Sequence, residues 1–342
     1  MRKFINRKPF FIAEISANHC GSIERAKKLI ILSKKNGADA VKLQTYTADM
    51  MTLKNKKFFI KSGLWKNKNL WELYEQAHTP LEWHKSLFQL AKKIKIKIFS
   101  TPFSCEAVDF LEKLNCEAYK IASFEMNDLN LIKKVAQTKK PLIISTGLSN
   151  LSEITKSYKT AKRYGCKDIT LLYCVSNYPS KKNEFNLNNI KILKEKFKCK
   201  VGLSDHSVGS EMAKLSLVMG AEVFEKHVAL QNQRKGHDIK FSVKGNLILN
   251  YKNELLGTYK LLEKKNFYRN KSELKNLIFR RSIFAIKDIK KGEKFTSLNI
   301  RTFRPNIGLG ANYYFNIIKK RAPYNINKYS VIKKNIFNIS KK

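Results

Sequence analysis

The chain has 342 residues, of which 43% are hydrophobic, so it can bury one large core and a second, small one. Its formal net charge is +41, but the lysines and arginines are spread along the whole chain, which argues against a nucleic-acid-binding stripe or tail. It lacks a membrane-span pattern, a signal-peptide pattern and Cys-x-x-Cys pairs. We therefore expect a cytoplasmic protein with reduced thiols and no membrane or nucleic-acid partner.

Predicted strands and helices alternate from residue 10 onward. Helical patterns are clearest at 23–35, 106–114, 151–164 and 211–219, and an irregular insert covers 47 to about 69. Eight strand–helix units in about 260 residues predict a (β/α)₈ TIM barrel, an α/β fold, with a doubly wound open sheet as the alternative. The predicted strands are 10–16, 40–46, 97–101, 118–123, 142–146, 169–176, 201–206 and 222–227.

The composition changes after the last predicted barrel helix. Residues 1–264 form the predicted barrel domain, and the polar stretch 265–278 is typical of a linker. From residue 279 to 342 we predict a small β-rich domain of short strands, with a turn at Lys290-Lys291-Gly292.

Polar and ionisable side chains stand at or just after the end of each predicted strand. Because the active sites of (β/α)₈ barrels lie at the carboxyl ends of their strands, these residues are the candidate site. Two lysines ringed by hydroxyl groups suit a small anion such as a phosphate ester. Two glutamates are the candidate acid and base, and the alternative for each is an ion pair with a lysine. The set comprises Glu14, Lys42, Gln44, Thr101, Lys120, Ser123, Glu125, Ser145, Ser176, Tyr178, Ser204, His206 and His227.

Two histidines end consecutive strand–helix units. In Ser204-x-His206 the alternation of a strand delivers a hydroxyl and an imidazole to the same face. His206 and His227, on neighbouring parallel strands, predict a shared divalent metal ion. The alternatives are that each histidine is an ordinary polar strand cap, or that one lysine forms a Schiff base in a metal-free aldolase.

Seven stretches in the same order resemble the sialic acid synthase family, whose members condense phosphoenolpyruvate with an amino sugar to form a nine-carbon 2-keto acid. They are IAEISANHCGS (12–22), ADAVKLQTYT (38–47), FSTPF (99–103), YKIASFE (119–125), ISTG (144–147), GLSDHS (202–207) and EKHVAL (225–230). The tail stretches RRSIFAIKDIKKGEKF (280–295) and IRTFRPNIGLG (300–310) resemble that family's antifreeze-like (SAF) domain. The insert GLWKNKNLWELYEQAHTPLEWH (63–84) resembles the pseudaminic acid synthase branch.

The resemblance implies a role for each candidate residue. The branch implies 2,4-diacetamido-2,4,6-trideoxy-altrose as acceptor; the alternatives are N-acetylneuraminate and legionaminate synthases, which act on another acetamido sugar. It implies that His206 and His227 bind the metal ion, Mn²⁺ or Mg²⁺. It also implies a domain-swapped homodimer in which Arg304 reaches over the partner's barrel. The residues implied to bind phosphoenolpyruvate are Lys42, Thr101, Lys120, Ser123, Ser145, Ser176 and Ser204. Those implied to contact the sugar are Glu14, Gln44, Glu125, Tyr178 and Asp238.

Overall fold

The computed structural model describes residues 4–6, 8–264 and 266–336. The chain divides into two compact units, Met1–Glu263 and Lys264–Lys342. In the described residues no helix is long and apolar enough to cross a membrane.

The first unit is a closed barrel of parallel strands. Each strand pairs with the next, and the last pairs with the first, where Glu14 aligns with His227. This closure confirms the TIM barrel, and the open doubly wound sheet is wrong. The barrel strands are β1 (Phe10–Glu14), β2 (Ala40–Thr45), β3 (Lys97–Pro102), β4 (Tyr119–Ile121), β5 (Leu142–Ser145), β6 (Ile169–Cys174), β7 (Lys200–Asp205) and β8 (Val223–Ala229). A two-residue strand, β9 (Val243–Lys244), pairs in parallel with the end of β8.

Amphipathic helices cover the barrel. In α6, Leu131, Ile132, Val135 and Ala136 form the buried stripe, and the Asp128 side chain caps the first turn. Helix α2 (Ala48–Met51) lies in the insert after β2, and α3 (Leu70–Ala77) begins directly after it. The helices are α1 (Ile23–Lys35), α2 (Ala48–Met51), α3 (Leu70–Ala77), α4 (Leu81–Lys93), α5 (Cys105–Lys113), α6 (Leu129–Gln137), α7 (Leu151–Arg163), α8 (Asn188–Phe197), α9 (Glu211–Val218) and α10 (Leu247–Leu262).

A buried ion pair lies on the outer face of β7 and β8, behind the site. Asp205 and Lys226 are aligned in register, and Nζ of Lys226 lies 3.0 Å from Oδ2 of Asp205. Tyr251 of α10 donates its hydroxyl proton to the same carboxylate at 3.2 Å. The pair therefore joins two strands and a helix, while the strand residues on either side of it face the barrel interior.

The second unit is small. Its strands β10 (Ser282–Ala285) and β11 (Ile300–Phe303) are antiparallel, and it includes a short helix, α11 (Tyr314–Ile317). Its core packs Ile283, Phe295 and Ile332. The stretch predicted as a linker has regular structure, because Lys271–Phe279 forms a 3₁₀ helix whose first turn is capped by Asn270.

Candidate active site

Four charged side chains meet inside the barrel at the carboxyl ends of its strands. Nζ of Lys42 lies 2.6 Å from Oε2 of Glu14 and 3.7 Å from Oε2 of Glu225. Lys120 donates to both Glu225 oxygens, at 2.9 and 3.0 Å. All four residues are buried, so neither lysine is a surface residue. The ion pair with a lysine that was the alternative for Glu14 is present.

The charges of this network tune one another. Burial favours a higher pKa for Glu225, but Lys120 and Lys42 outweigh it and lower the pKa to about 2. Burial lowers the pKa of Lys120 and is only partly offset by Glu225. Burial opposes the proton on Lys42, yet Glu14 and Glu225 raise its pKa above the usual value. Burial also raises the pKa of Glu14, against the effect of Lys42. Lys42 is therefore a fixed cation, whereas Lys120 depends on Glu225 for its charge.

The predicted hydroxyl groups surround these lysines. Thr101 accepts a hydrogen bond from Lys42 at 2.9 Å, and Ser204 donates to Glu225 at 3.0 Å. The Ser145 hydroxyl is buried and has no hydrogen-bond partner among the described residues. Its bonding capacity remains available to a ligand.

Gly147 brings two further hydroxyls together. Its N–H donates to the Ser123 hydroxyl at 3.2 Å. A Cβ at this position would lie 2.2 Å from the Ser176 hydroxyl oxygen and 2.7 Å from that of Ser123. Glycine is therefore required for this close approach.

The two histidines lie side by side under aromatic rings. The ring centroids of His206 and His227 are 5.4 Å apart. Tyr178 packs on His206 at 4.4 Å, and Phe241 packs on His227 at 4.8 Å. We call Tyr178, Phe241 and these two histidines the aromatic cluster. Its rings meet at tilted and edge-to-face angles of 41° to 80°, beside the charged network.

The histidines fit a metal site with open positions. Nδ1 of His206 lies 3.2 Å from the Val175 carbonyl oxygen, which leaves Nε2 for a metal ion. Nδ1 of His227 is buried and has no hydrogen-bond partner among the described residues, since its contact with Asp238 is 3.5 Å long. Those residues contain no group of three or more His, Cys, Asp or Glu side chains arranged to hold a metal. His206 and His227 would therefore be the two imidazole ligands that the chain offers to a metal ion.

The remaining predicted residues lie in several places. Gln44 aligns with Thr101 on the neighbouring strand. Glu125 follows β4; burial raises its pKa to about 7, and Oε2 has no hydrogen-bond partner within the described chain. Asp238 accepts a hydrogen bond from Ser16 beside His227. Arg304 is exposed in the second unit, just after β11.

Two residues that contact the predicted site residues, Glu225 and Trp65, were not among the candidates from the sequence. Glu225 precedes His227 by two residues on β8, so strand periodicity alone gives it the same face. Trp65 lies in the insert, with its ring centroid 5.6 Å from that of Tyr178. No local pattern marks this second contact, because it joins segments more than one hundred residues apart.

Comparisons with known proteins agree with this geometry. The model of the NeuB family matches residues 29–265. The chain is 42% identical over 334 residues to a pseudaminic acid synthase of Campylobacter jejuni, covering 97% of each chain. It is 36% identical to an N,N'-diacetyllegionaminic acid synthase of the same species, covering 96% of this chain and 99% of the other. A solved structure of spore coat polysaccharide biosynthesis protein E from Chromobacterium violaceum has a TM-score of 0.78 and 27% identity, covering 95% of this chain and 98% of that one.

Proposed function

The chain belongs to the NeuB family, and on that premise we propose that it is a pseudaminic acid synthase. It condenses phosphoenolpyruvate, 2,4-diacetamido-2,4,6-trideoxy-altrose and water to pseudaminic acid and phosphate. The observation that carries the proposal is the pair of buried lysines, Lys42 and Lys120, set among hydroxyl groups beside two histidines. This arrangement suits a small anion next to a metal-bound carbonyl group.

The choice of acceptor rests on similarity. Two synthases of one organism compare with this chain at 42% and 36% identity, and the more similar one is the pseudaminic acid synthase. The alternative function is synthesis of legionaminate or N-acetylneuraminate from another acetamido sugar. The difference in identity favours the pseudaminic branch.

Phosphoenolpyruvate binds through charge and hydroxyl donors. Lys42 and Lys120 hold its phosphate and carboxylate groups, with hydroxyl groups completing the cradle. Glu14 and Glu225 neutralise the lysines until the substrate arrives, so binding exchanges one set of ion pairs for another. The hydroxyl groups are those of Thr101, Ser123, Ser145, Ser176 and Ser204.

A divalent cation, Mn²⁺ or Mg²⁺, would be held by His206 and His227. When bound there, it supplies Lewis acidity toward the aldehyde oxygen of the open-chain sugar. The Val175 carbonyl orients His206 for this role, and Asp238 lies beside His227.

Side chains of the protein bind the sugar and transfer the protons during the reaction. The electron pair of the carbon–carbon double bond of phosphoenolpyruvate forms the bond from its carbon 3 to carbon 1 of the sugar. The π electrons of the aldehyde group move to its oxygen, which takes up a proton. Water then adds at carbon 2, and phosphate leaves with its bridging oxygen. Glu14 and Glu125 transfer the protons. Burial raises the pKa of both carboxyl groups, and that of Glu125 reaches about 7. Gln44, Tyr178 and Asp238 line the sugar side.

The second unit is proposed to be an SAF domain that serves a partner subunit. Arg304 then contacts the sugar bound in the partner's barrel, within a swapped homodimer. The support is the sequence resemblance and the exposure of Arg304, which has no ion-pair partner in the described part of the chain. A cytoplasmic location belongs to the same proposal, since phosphoenolpyruvate is a cytoplasmic metabolite.

The test is phosphate release from phosphoenolpyruvate by the purified protein. We expect release with 2,4-diacetamido-2,4,6-trideoxy-altrose, weaker release with N-acetylmannosamine, and none without sugar. Chelation should abolish turnover and Mn²⁺ or Mg²⁺ should restore it. A clear preference for N-acetylmannosamine contradicts the branch, and full activity after chelation contradicts the metal.

A further inference from the structure

The indole N–H of Trp65 lacks an acceptor. Nε1 of Trp65 is buried and makes no hydrogen bond to any of the described residues. Trp71 of the same insert differs, since its Nε1 donates to Oδ1 of Asp49 at 2.8 Å. A buried donor without a partner is costly, so a donor left open beside a site indicates a ligand that supplies the acceptor.

The loop that carries Trp65 is ordered by its own backbone. Ile60 N–H donates to the Lys68 carbonyl at 3.0 Å, and Asn67 N–H donates to the Ile60 carbonyl at 2.9 Å. The Trp65 carbonyl accepts from Lys68 N–H at 3.1 Å. These bonds form a hairpin-like loop with Trp65 in its turn. The backbone that carries the side chain is therefore ordered before any ligand binds.

Trp65 extends the aromatic cluster away from the histidines. Its ring centroid lies 5.6 Å from that of Tyr178, which in turn lies 4.4 Å from that of His206. If carbon 1 of the sugar reacts beside the histidines, as proposed above, substituents at carbon 2 remain near them. Among the described residues Trp65 has a ring contact with Tyr178 and none with either histidine, so it is suited to a substituent farther along the sugar.

We propose that Nε1 of Trp65 donates a hydrogen bond to the acetamido carbonyl oxygen on carbon 4 of the acceptor sugar, which makes Trp65 a specificity-determining residue. The assignment rests on the proposed function. A carbonyl oxygen needs only a donor, whereas a hydroxyl group brings a proton that itself needs an acceptor. The indole ring also gives the acetyl methyl group an apolar surface.

A pair of phenylalanine variants tests the assignment. Trp65→Phe keeps an aromatic ring and removes the N–H, while Trp71→Phe removes the N–H that Asp49 already accepts. We expect Trp65→Phe to lower kcat/KM for the diacetamido sugar roughly tenfold, the loss expected for one hydrogen bond, with the KM for phosphoenolpyruvate unchanged. With the 4-amino analogue, which lacks that carbonyl group, the change should be less than about twofold. Trp71→Phe should change kcat/KM for the two sugars by the same factor.

Nuclear magnetic resonance provides a second readout. The chain has three tryptophans, so the indole N–H signal missing in Trp65→Phe belongs to Trp65. That signal should move downfield with the diacetamido sugar and stay in place with phosphoenolpyruvate alone. The role of Trp65 is overturned, and the proposed function is not, by either of two results. In one, the wild-type enzyme turns over but the Trp65 signal does not move. In the other, Trp65→Phe lowers kcat/KM equally for the diacetamido sugar and the 4-amino analogue. Absence of turnover by the wild type with every acetamido sugar overturns the proposed function and this assignment together.

Discussion

Glu225 holds Lys120 through both of its carboxylate oxygens, at 2.9 and 3.0 Å, inside the barrel. Because burial lowers the pKa of Lys120 and Glu225 raises it, the carboxylate maintains the charge that the substrate needs. Glu225 is thus a positioning residue for the proposed phosphoenolpyruvate site.

Glu225→Gln removes this charge and keeps the shape of the side chain. The pKa of Lys120 should fall further, so the lysine should lose its proton at a lower pH than in the wild type. We expect the KM for phosphoenolpyruvate to begin rising at a lower pH in the variant than in the wild type. The KM measured from pH 6 to 10 checks this, and identical profiles would show that Glu225 does not maintain the charge.

Glu125→Gln should stabilise the fold in a pH-dependent way. Burial raises the pKa of Glu125 from 4.5 to about 7, so the folded protein binds a proton that the unfolded chain has lost between these values. Wild-type stability therefore falls as the pH rises through this window. The variant should gain melting temperature at pH 8 and little at pH 4.5. An equal gain at both pH values would contradict the shifted pKa.

Lys226→Ala tests the outer face of β8. It leaves the buried Asp205 carboxylate without its lysine, which should cost about 3–5 kcal/mol of unfolding free energy. Lys194→Ala is the control, because its contact with Glu222 is exposed and worth at most about 1 kcal/mol. Urea unfolding measures both. Equal losses in the two variants would mean that the buried pair contributes no more than a surface one.

Much of the barrel is predictable from the sequence, because eight strands with polar ends fix both fold class and site edge. Helix α1 was predicted at its observed bounds. Strand β4 ends at Ile121, two residues earlier than expected, because Ser123 belongs to the turn that follows. The strand propensity of the local sequence does not predict this difference, because a strand ends where its pairing with the neighbouring strands ends.

The site was harder to predict where contacts are long-range. Strand periodicity gives Glu225 the face of His227, but its contact with Lys120 joins residues 105 positions apart, which no local pattern indicates. The contact of Trp65 with Tyr178 depends on how the insert folds back on the barrel. The capped 3₁₀ helix within the expected linker is a short element that composition alone does not reveal.

Complementation tests the swapped dimer. Arg304→Ala and His206→Ala chains should each be inactive alone. In a mixed dimer with exchanged second units, one of the two sites keeps both residues, so part of the activity should return. Mixed dimers that form and recover nothing would mean that Arg304 serves its own barrel or none.

Kinetics of Lys120→Ala test the central claim most directly, that the buried lysines bind phosphoenolpyruvate. Removing one buried charged partner of an anion costs about 2–5 kcal/mol, so the KM for phosphoenolpyruvate should rise at least about thirtyfold. The KM for the sugar, measured on the same preparation, should change little. An unchanged KM for phosphoenolpyruvate together with a raised KM for the sugar would contradict the account.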